Sequence, residues 1–121
     1  MLNPKIDDWF KFKGWVPHNY QIELNNKLSN LNSALVIAPT GGGKTLAGFI
    51  PPIADIIKEA PKGLHTLYIS PLKALANDIE RNLEFPIKEM ELDITLETRT
   101  GDTKQSKRNS QKHNPPNFLM T

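Results

Sequence analysis

Apolar and polar positions follow two periods along the chain. Ser33-Ala34-Leu35-Val36-Ile37-Ala38 is a short apolar run rich in β-formers that ends at Pro39, and it reads as a buried parallel strand. From Lys44 to about Glu59, Leu46, Ile50, Ile53 and Ile57 recur at four-, three- and four-residue spacing, the stripe of a crossover helix. Pro51 and Pro52 inside it lack backbone donors and predict a kink or a division. Pro61-Lys62-Gly63 turns the chain into a second strand over 65–70. A second helix opens at Pro71, which suits a first-turn position, and carries the stripe Leu72, Leu75, Ala76, Ile79 and Leu83.

Ile94-Thr95-Leu96-Glu97-Thr98-Arg99 alternates as a third strand, and 103–113 is a polar helix or loop ended by Asn114-Pro115-Pro116. Residues 117–121 form a fourth strand. Upstream, Leu24, Leu28 and Leu31 mark a short amphipathic helix, and 1–16, with Trp9, Phe10, Phe12 and Trp15, read as a loop-rich aromatic cap. Alternating strands and helices define an α/β fold, a parallel sheet with crossover helices.

Composition narrows the chemistry. The 121 residues include no cysteine, which removes disulfides, thiolate zinc sites and a cysteine nucleophile. His18, His65 and His113 are scattered. A mean hydropathy of -0.44 and the lack of any apolar run near the roughly 20 residues of a membrane span predict a soluble domain with no membrane partner. The N-terminus has no basic region followed by an apolar one, so the expected location is cytoplasmic. A net charge of +2 is too mild to identify a nucleic-acid binder by itself.

The strongest chemical signal is Ala38-Pro39-Thr40-Gly41-Gly42-Gly43-Lys44-Thr45, a Walker A pattern opening with Ala, between a strand and a helix as the motif demands. Glycines let backbone N–H groups turn inward around phosphate oxygens. Lys44 can reach the β- and γ-phosphates, Thr45 can ligate Mg²⁺, and the helix N-terminus adds partial positive charge. The bland reading is a flexible Gly-Gly-Gly-Lys turn, against which the flanking strand and helix both speak. The loop alone does not separate kinase, GTPase, transporter ATPase and helicase.

The following residues narrow that choice. Pro39-Thr40-Gly41 in the loop resembles the middle of helicase motif I, and Leu46 and its successors follow it. Ser70-Pro71-Leu72-Lys73-Ala74-Leu75-Ala76 is similar to motif Ia of superfamily 2 helicases. Thr98-Arg99-Thr100-Gly101-Asp102-Thr103 resembles the later Thr-Gly-Asp turn, and Gly14-Trp15-Val16-Pro17-His18-Asn19-Tyr20-Gln21 the adenine-recognising Q motif. The whole is similar to the DEAD/DEAH-box helicases of Lhr type, nearest to the ligase-associated DEXH-box DNA helicases. Gly42, where Ser or Ala is more usual, and the second proline, Pro52, depart from the pattern.

The resemblance implies a P-loop NTPase (RecA-like) lobe over 33–121, preceded at 1–32 by the aromatic cap and Q-motif-like helix. It implies ATP and Mg²⁺ as cofactors, held by Gln21, Pro39, Thr40, Gly41, Gly42, Gly43, Lys44, Thr45 and Leu46, with Lys44 as the phosphate contact and Thr45 as the metal ligand. Phe10, with Trp15 behind it, matches the aromatic residue that stacks on the base; core packing is an equal alternative. Ser70, Pro71, Leu72 and Lys73 match the nucleic-acid track, together with Arg99, Thr100, Gly101 and Asp102. The expected partner is nucleic acid, single-stranded DNA favoured. Lys104, Lys107, Arg108 and Lys112 form either a basic patch beside that track or a solvated helix face.

Hydrolysis in this superfamily needs an acidic pair after a later strand, and no apolar strand here is followed by Asp-Glu. The second lobe is also missing. The expectation is therefore an N-terminal part of a first lobe, incomplete at its C-terminus through truncation, gene splitting or decay. Such a chain is inactive alone, and the remainder could be a separate chain. Two alternatives stand beside this one. One is a non-enzymatic nucleotide or single-stranded DNA binding module. The other is a small P-loop phosphotransferase, for which Arg81, Arg99 and Arg108 are few and unclustered.

Overall fold

Asn3 accepts a hydrogen bond from the Lys5 amide at 2.9 Å, and Pro4 stands in the first turn, so helix α1 (Pro4–Lys13) begins at once. It ends at Gly14, whose φ of +71° is the left-handed cap that glycine favours. The segment expected as a loop-rich cap is thus largely helical. The Asn-Pro start and the Gly stop outweigh its aromatic content. Ile6, Trp9 and Phe10 are its buried residues.

The computed structural model describes every residue except Met1, Ser29, Leu31, Asn32 and 39–42. Its contacts divide the chain into two units, Met1–Lys58 and Glu59–Thr121. In the first unit α1 is followed by α2 (Asn19–Leu28), with Gln21 and Leu24 buried. Leu31, expected on the same stripe, lies outside the described residues.

The strand expected over 33–38 is absent. None of these residues belongs to the sheet, and Leu35 and Ile37 are 85% and 88% exposed. An apolar run becomes a strand only beside another that completes its hydrogen bonds, and none of the described strands pairs with this one.

Helix α3 (Lys44–Glu59) runs unbroken through Pro51 and Pro52, so the prolines do not divide it. Its buried residues are Ala47, Phe49, Ile50, Ile53 and Ile56. Leu46 and Ile57 are half-buried, which centres the apolar face on Ile50 and Ile53.

The second unit is built on a parallel sheet of three strands, β1 (Thr66–Tyr68), β2 (Leu96–Thr98) and β3 (Phe118–Met120), in the order β1-β3-β2. Thr66 and Leu96 both register with Phe118, and Tyr68 and Thr98 with Met120. Phe118 and Met120 are fully buried, as befits a central strand. Each strand is shorter than its apolar run, but their number and direction in this unit are those expected.

Asn117 ties the N-terminal ends of the three strands together. Its Oδ1 accepts from the Thr95 amide (3.1 Å) and its Nδ2 donates to the Gly63 carbonyl (3.0 Å). Its backbone carbonyl meanwhile accepts from Thr66 N at 2.9 Å. Helix α4 (Lys73–Glu89) packs on β2 and β3 through a face of Ala76, Ile79, Leu83, Pro86 and Ile87. Leu72, expected on that stripe, is 61% exposed because it precedes the helix as its cap; Leu75, also expected there, lies within the helix and is 42% exposed. Residues 105–113 form α5 (Gln105–His113), polar throughout with only Gln111 buried.

Candidate functional sites in two units

In the first unit the chemistry gathers where α2 begins and where α3 begins. His18 caps α2: its carbonyl accepts from the Gln21 and Ile22 amides at 3.0 and 3.3 Å. The Gln21 side chain reaches back so that Oε1 accepts from His18 N at 2.9 Å. This is the returning half of a capping box, with glutamine at the third helical position. The other end of the same carboxamide, Nε2, donates to the Gly43 carbonyl at 3.2 Å. Gly43 O also accepts from Ala47 N at 2.9 Å, opening α3. One buried side chain, 2% exposed, thus joins the Q-motif-like turn to the glycine before Lys44.

Gly43 has a φ of +81°, and a Cβ there would lie 2.8 Å from Gln21 Nε2. Glycine is required twice over, by backbone conformation and by the close approach of the amide. The His18 and Tyr20 rings stack beside it, 5.7 Å apart and 13° from parallel. Lys44 and Thr45 follow, both exposed in the first turn of α3, and Leu46 is half-buried. A left-handed glycine, a helix N-terminus, an ammonium and a hydroxyl in succession make a donor set that fits a nucleotide phosphate with its magnesium ion. Pro39, Thr40, Gly41 and Gly42 lie outside the described residues.

Of the two aromatics matched to base stacking, Phe10 is 3% exposed and Trp15 is 49% exposed. They meet edge to face with ring centroids 6.4 Å apart, and each contacts Trp9 in the same way. Lys13 Nζ stands 5.6 Å from the Trp15 ring centroid. Phe10 is therefore built into a packed aromatic cluster, and Trp15 is its more open member.

In the second unit the candidate residues lie in the loops that leave β1 and β2. In an open parallel sheet the C-terminal ends of the strands are where ligands bind. After β1, Ser70 N donates to Thr121 O at 2.7 Å, and the Ser70 hydroxyl donates to Leu72 O at 2.9 Å. Pro71, Leu72 and Lys73 are exposed. After β2, Arg99 N donates to Met120 O at 2.8 Å, and the chain then turns tightly. Thr100 N donates to Thr103 Oγ1 at 2.9 Å, and Asp102 N to Thr100 Oγ1 at 3.2 Å.

Sequence reasoning missed what holds this turn. Arg108 of α5 donates through Nη2 to Thr100 O (2.6 Å) and through Nε to Thr103 O (3.1 Å). Its guanidinium clamps the turn, whereas Lys104, Lys107 and Lys112 are exposed. The planar fork of arginine suits two carbonyls at once. Arg81 pairs with Asp78. The two loops meet through Lys73 Nζ and Asp102 Oδ2, 2.8 Å apart, with side chains 61% and 73% exposed. A pair so exposed contributes only about 0–1 kcal/mol to stability.

Behind the turn, Gln111 Nε2 donates to Glu97 Oε1 (3.0 Å) and Thr98 O (2.9 Å). Burial pushes the Glu80 carboxyl above its ordinary value, an effect opposed by the Lys107 ammonium and reinforced by the charges of Glu84 and Glu97. Glu80 Oε2 is buried without a hydrogen-bond partner.

The left-handed glycine at the start of α3 and the loops at the C-terminal ends of a parallel sheet are features of an α/β protein with a helicase-like motif order. A model of the DEAD/DEAH box helicase family matches residues 18–121, and the chain belongs to that family. The Lhr helicase/probable uracil glycosylase of Mycolicibacterium smegmatis is 40% identical over an alignment of 127 residues, covering 94% of this chain and 8% of that protein. The ATP-dependent helicase Lhr-Core of Methanocaldococcus jannaschii is 37% identical over 139, covering 100% and 16%.

Among solved structures, the Mycobacterium smegmatis helicase Lhr bound to ssDNA and AMP-PNP aligns with a TM-score of 0.85 at 38% identity. The helicase MrfA bound to DNA and AMPPNP gives 0.87 at 26%. Each comparison covers 99% of this chain and 17% of the other. The fold is therefore part of a RecA-like helicase lobe, as the Lhr-type motifs imply. The chain spans less than a fifth of the length of these relatives.

Proposed function

We propose that these 121 residues form the ATP-binding and strand-binding portion of an Lhr-type DNA helicase, without the means to turn ATP over by themselves. The observation that carries the nucleotide part is the double anchorage of Gln21 to His18 N and Gly43 O. It couples the adenine motif to the phosphate loop through one side chain. Each end of the carboxamide keeps a further hydrogen-bonding position, one N–H and one lone pair, for the edge of adenine. Gly43, Lys44 and Thr45 would hold the phosphates and the magnesium ion; 39–42, expected in the same loop, lie outside the described residues. Lys44 would neutralise phosphate charge and Thr45 would offer its hydroxyl to the metal. The exposed face of Trp15 is the better placed of the two aromatics to meet a base.

The loops carrying Ser70, Pro71, Leu72 and Lys73, and Arg99, Thr100, Gly101 and Asp102, line one DNA strand, with the Lys73 and Arg99 charges meeting its phosphates. The amides of Ser70, Arg99 and Thr100 already donate to Thr121 O, Met120 O and Thr103 Oγ1. Such contacts position a strand without reading its sequence. Solved relatives bound to ssDNA, DNA and AMP-PNP support both halves of this reading. No Asp-Glu pair follows a strand in the sequence, so these residues supply no acidic pair to activate water.

Nucleotide binding and steady-state ATPase of the 121-residue chain, each with and without oligo-dT, test the proposal. Weak ATP binding that Lys44→Ala removes, with no turnover, is expected. Turnover abolished by Lys44→Ala would refute the inactivity, and binding indifferent to that substitution would refute the phosphate site.

A further inference from the structure

Lys73 and Asp102 arrive from opposite sides of the sheet. Lys73 follows β1 and Asp102 follows β2, with β3 between them. Two strand spacings, roughly 10 Å, separate the strands that carry them, yet the side chains close to 2.8 Å. With both groups mostly in water, the pair is a poor brace for the fold.

The two partners differ in freedom. Asp102 sits in a turn fixed by the Thr100–Thr103 and Asp102–Thr100 hydrogen bonds and by the Arg108 clamp on two carbonyls. Lys73 carries its charge on a flexible four-carbon stem. The carboxylate is therefore the fixed element, and the ammonium is the element that can exchange partners. A carboxylate oxygen held at 2.8 Å from an ammonium occupies the kind of place that a phosphate oxygen would take.

We infer that Asp102 is an internal competitor for the strand: it holds the Lys73 ammonium in place of a backbone phosphate and must be displaced when the phosphate arrives. The inference rests on the proposed strand-binding role of these loops. Arg108 is the positioning residue that keeps the competitor in place. The arrangement weakens binding and makes it less salt-dependent, because an ammonium already neutralised by a carboxylate releases fewer counterions from the strand.

The test is fluorescence anisotropy of labelled oligo-dT with the full chain across a salt series, for wild type, Asp102→Asn, Lys73→Ala and the double variant. Circular dichroism checks that each is folded. Asp102→Asn is expected to bind several-fold more tightly at low salt and to steepen the log–log salt slope by about 0.7, the value of one phosphate on a single strand. Both gains should vanish in the Lys73→Ala background. If wild type binds and Asp102→Asn binds no better, the inference fails while the strand-binding reading stands. The same gain with and without Lys73 also overturns it, since the effect is then only one of net charge. No binding by any variant at low salt overturns the strand-binding reading, and the inference with it.

Discussion

The Gly43 carbonyl and the Gln21 carboxamide meet at 3.2 Å only because position 43 has no Cβ. An added methyl group would lie 2.8 Å from Nε2 on a backbone at φ +81°. Gly43→Ala must therefore strain the backbone and displace a part-buried hydrogen bond at once. A loss of about 1–3 kcal/mol is expected for the strain alone, read by urea denaturation, together with weaker nucleotide binding. Gln21→Glu separates the two effects. It keeps the acceptor for His18 N but turns the donor facing Gly43 O into an oxygen, so nucleotide affinity should fall even where α2 remains helical.

The Arg108 clamp predicts a local effect. Arg108→Lys preserves the charge but cannot span the Thr100 and Thr103 carbonyls with a planar fork. Hydrogen exchange at the amides of 100–103 should quicken by an order of magnitude or more, corresponding to about 1.4 kcal/mol per factor of ten. Exchange in β1 should change little. Equal quickening throughout the sheet would show that Arg108 braces the unit rather than the turn.

Glu80 predicts a pH dependence. Its folded carboxyl is raised by burial, with Glu84 and Glu97 pushing the same way and Lys107 and a Thr98 side-chain hydrogen bond opposing. A raised acid binds more protons folded than unfolded, so its contribution favours folding at low pH. That contribution is lost as pH rises from the ordinary glutamate value of about 4.3 through the raised one. Glu80→Gln should flatten that part of the stability curve and be more stable than wild type at pH 7. A gain of the same size below pH 4 would assign the effect to packing instead.

The sheet of the second unit was legible because its apolar runs are bounded by Pro61-Lys62-Gly63 and Asn114-Pro115-Pro116, which leave little freedom over where strands begin. The run at 33–38 carried the same signal and formed no strand, since the signal records a capacity for pairing and not the presence of a partner. Helix α1 was hidden by its aromatics, although Asn3-Pro4 and Gly14 mark both ends. The anchoring of Gln21 to its own cap could have been read from its place three residues after His18. Its reach to Gly43 could not, nor could the Lys73–Asp102 pair or the Arg108 clamp. These depend on which loops the topology makes adjacent, and residue spacing does not encode that.

The order β1-β3-β2 has a consequence for synthesis on the ribosome. Among the described residues β1 and β2 share no hydrogen bonds with each other, and each pairs with β3 alone. Thr66 has to wait for Phe118, and so does Leu96. Until the middle strand emerges, the nascent chain holds two strand segments that cannot recognise one another. A growing chain interrupted before 118 therefore lacks the strand with which both of the others pair, as an arch lacks its keystone.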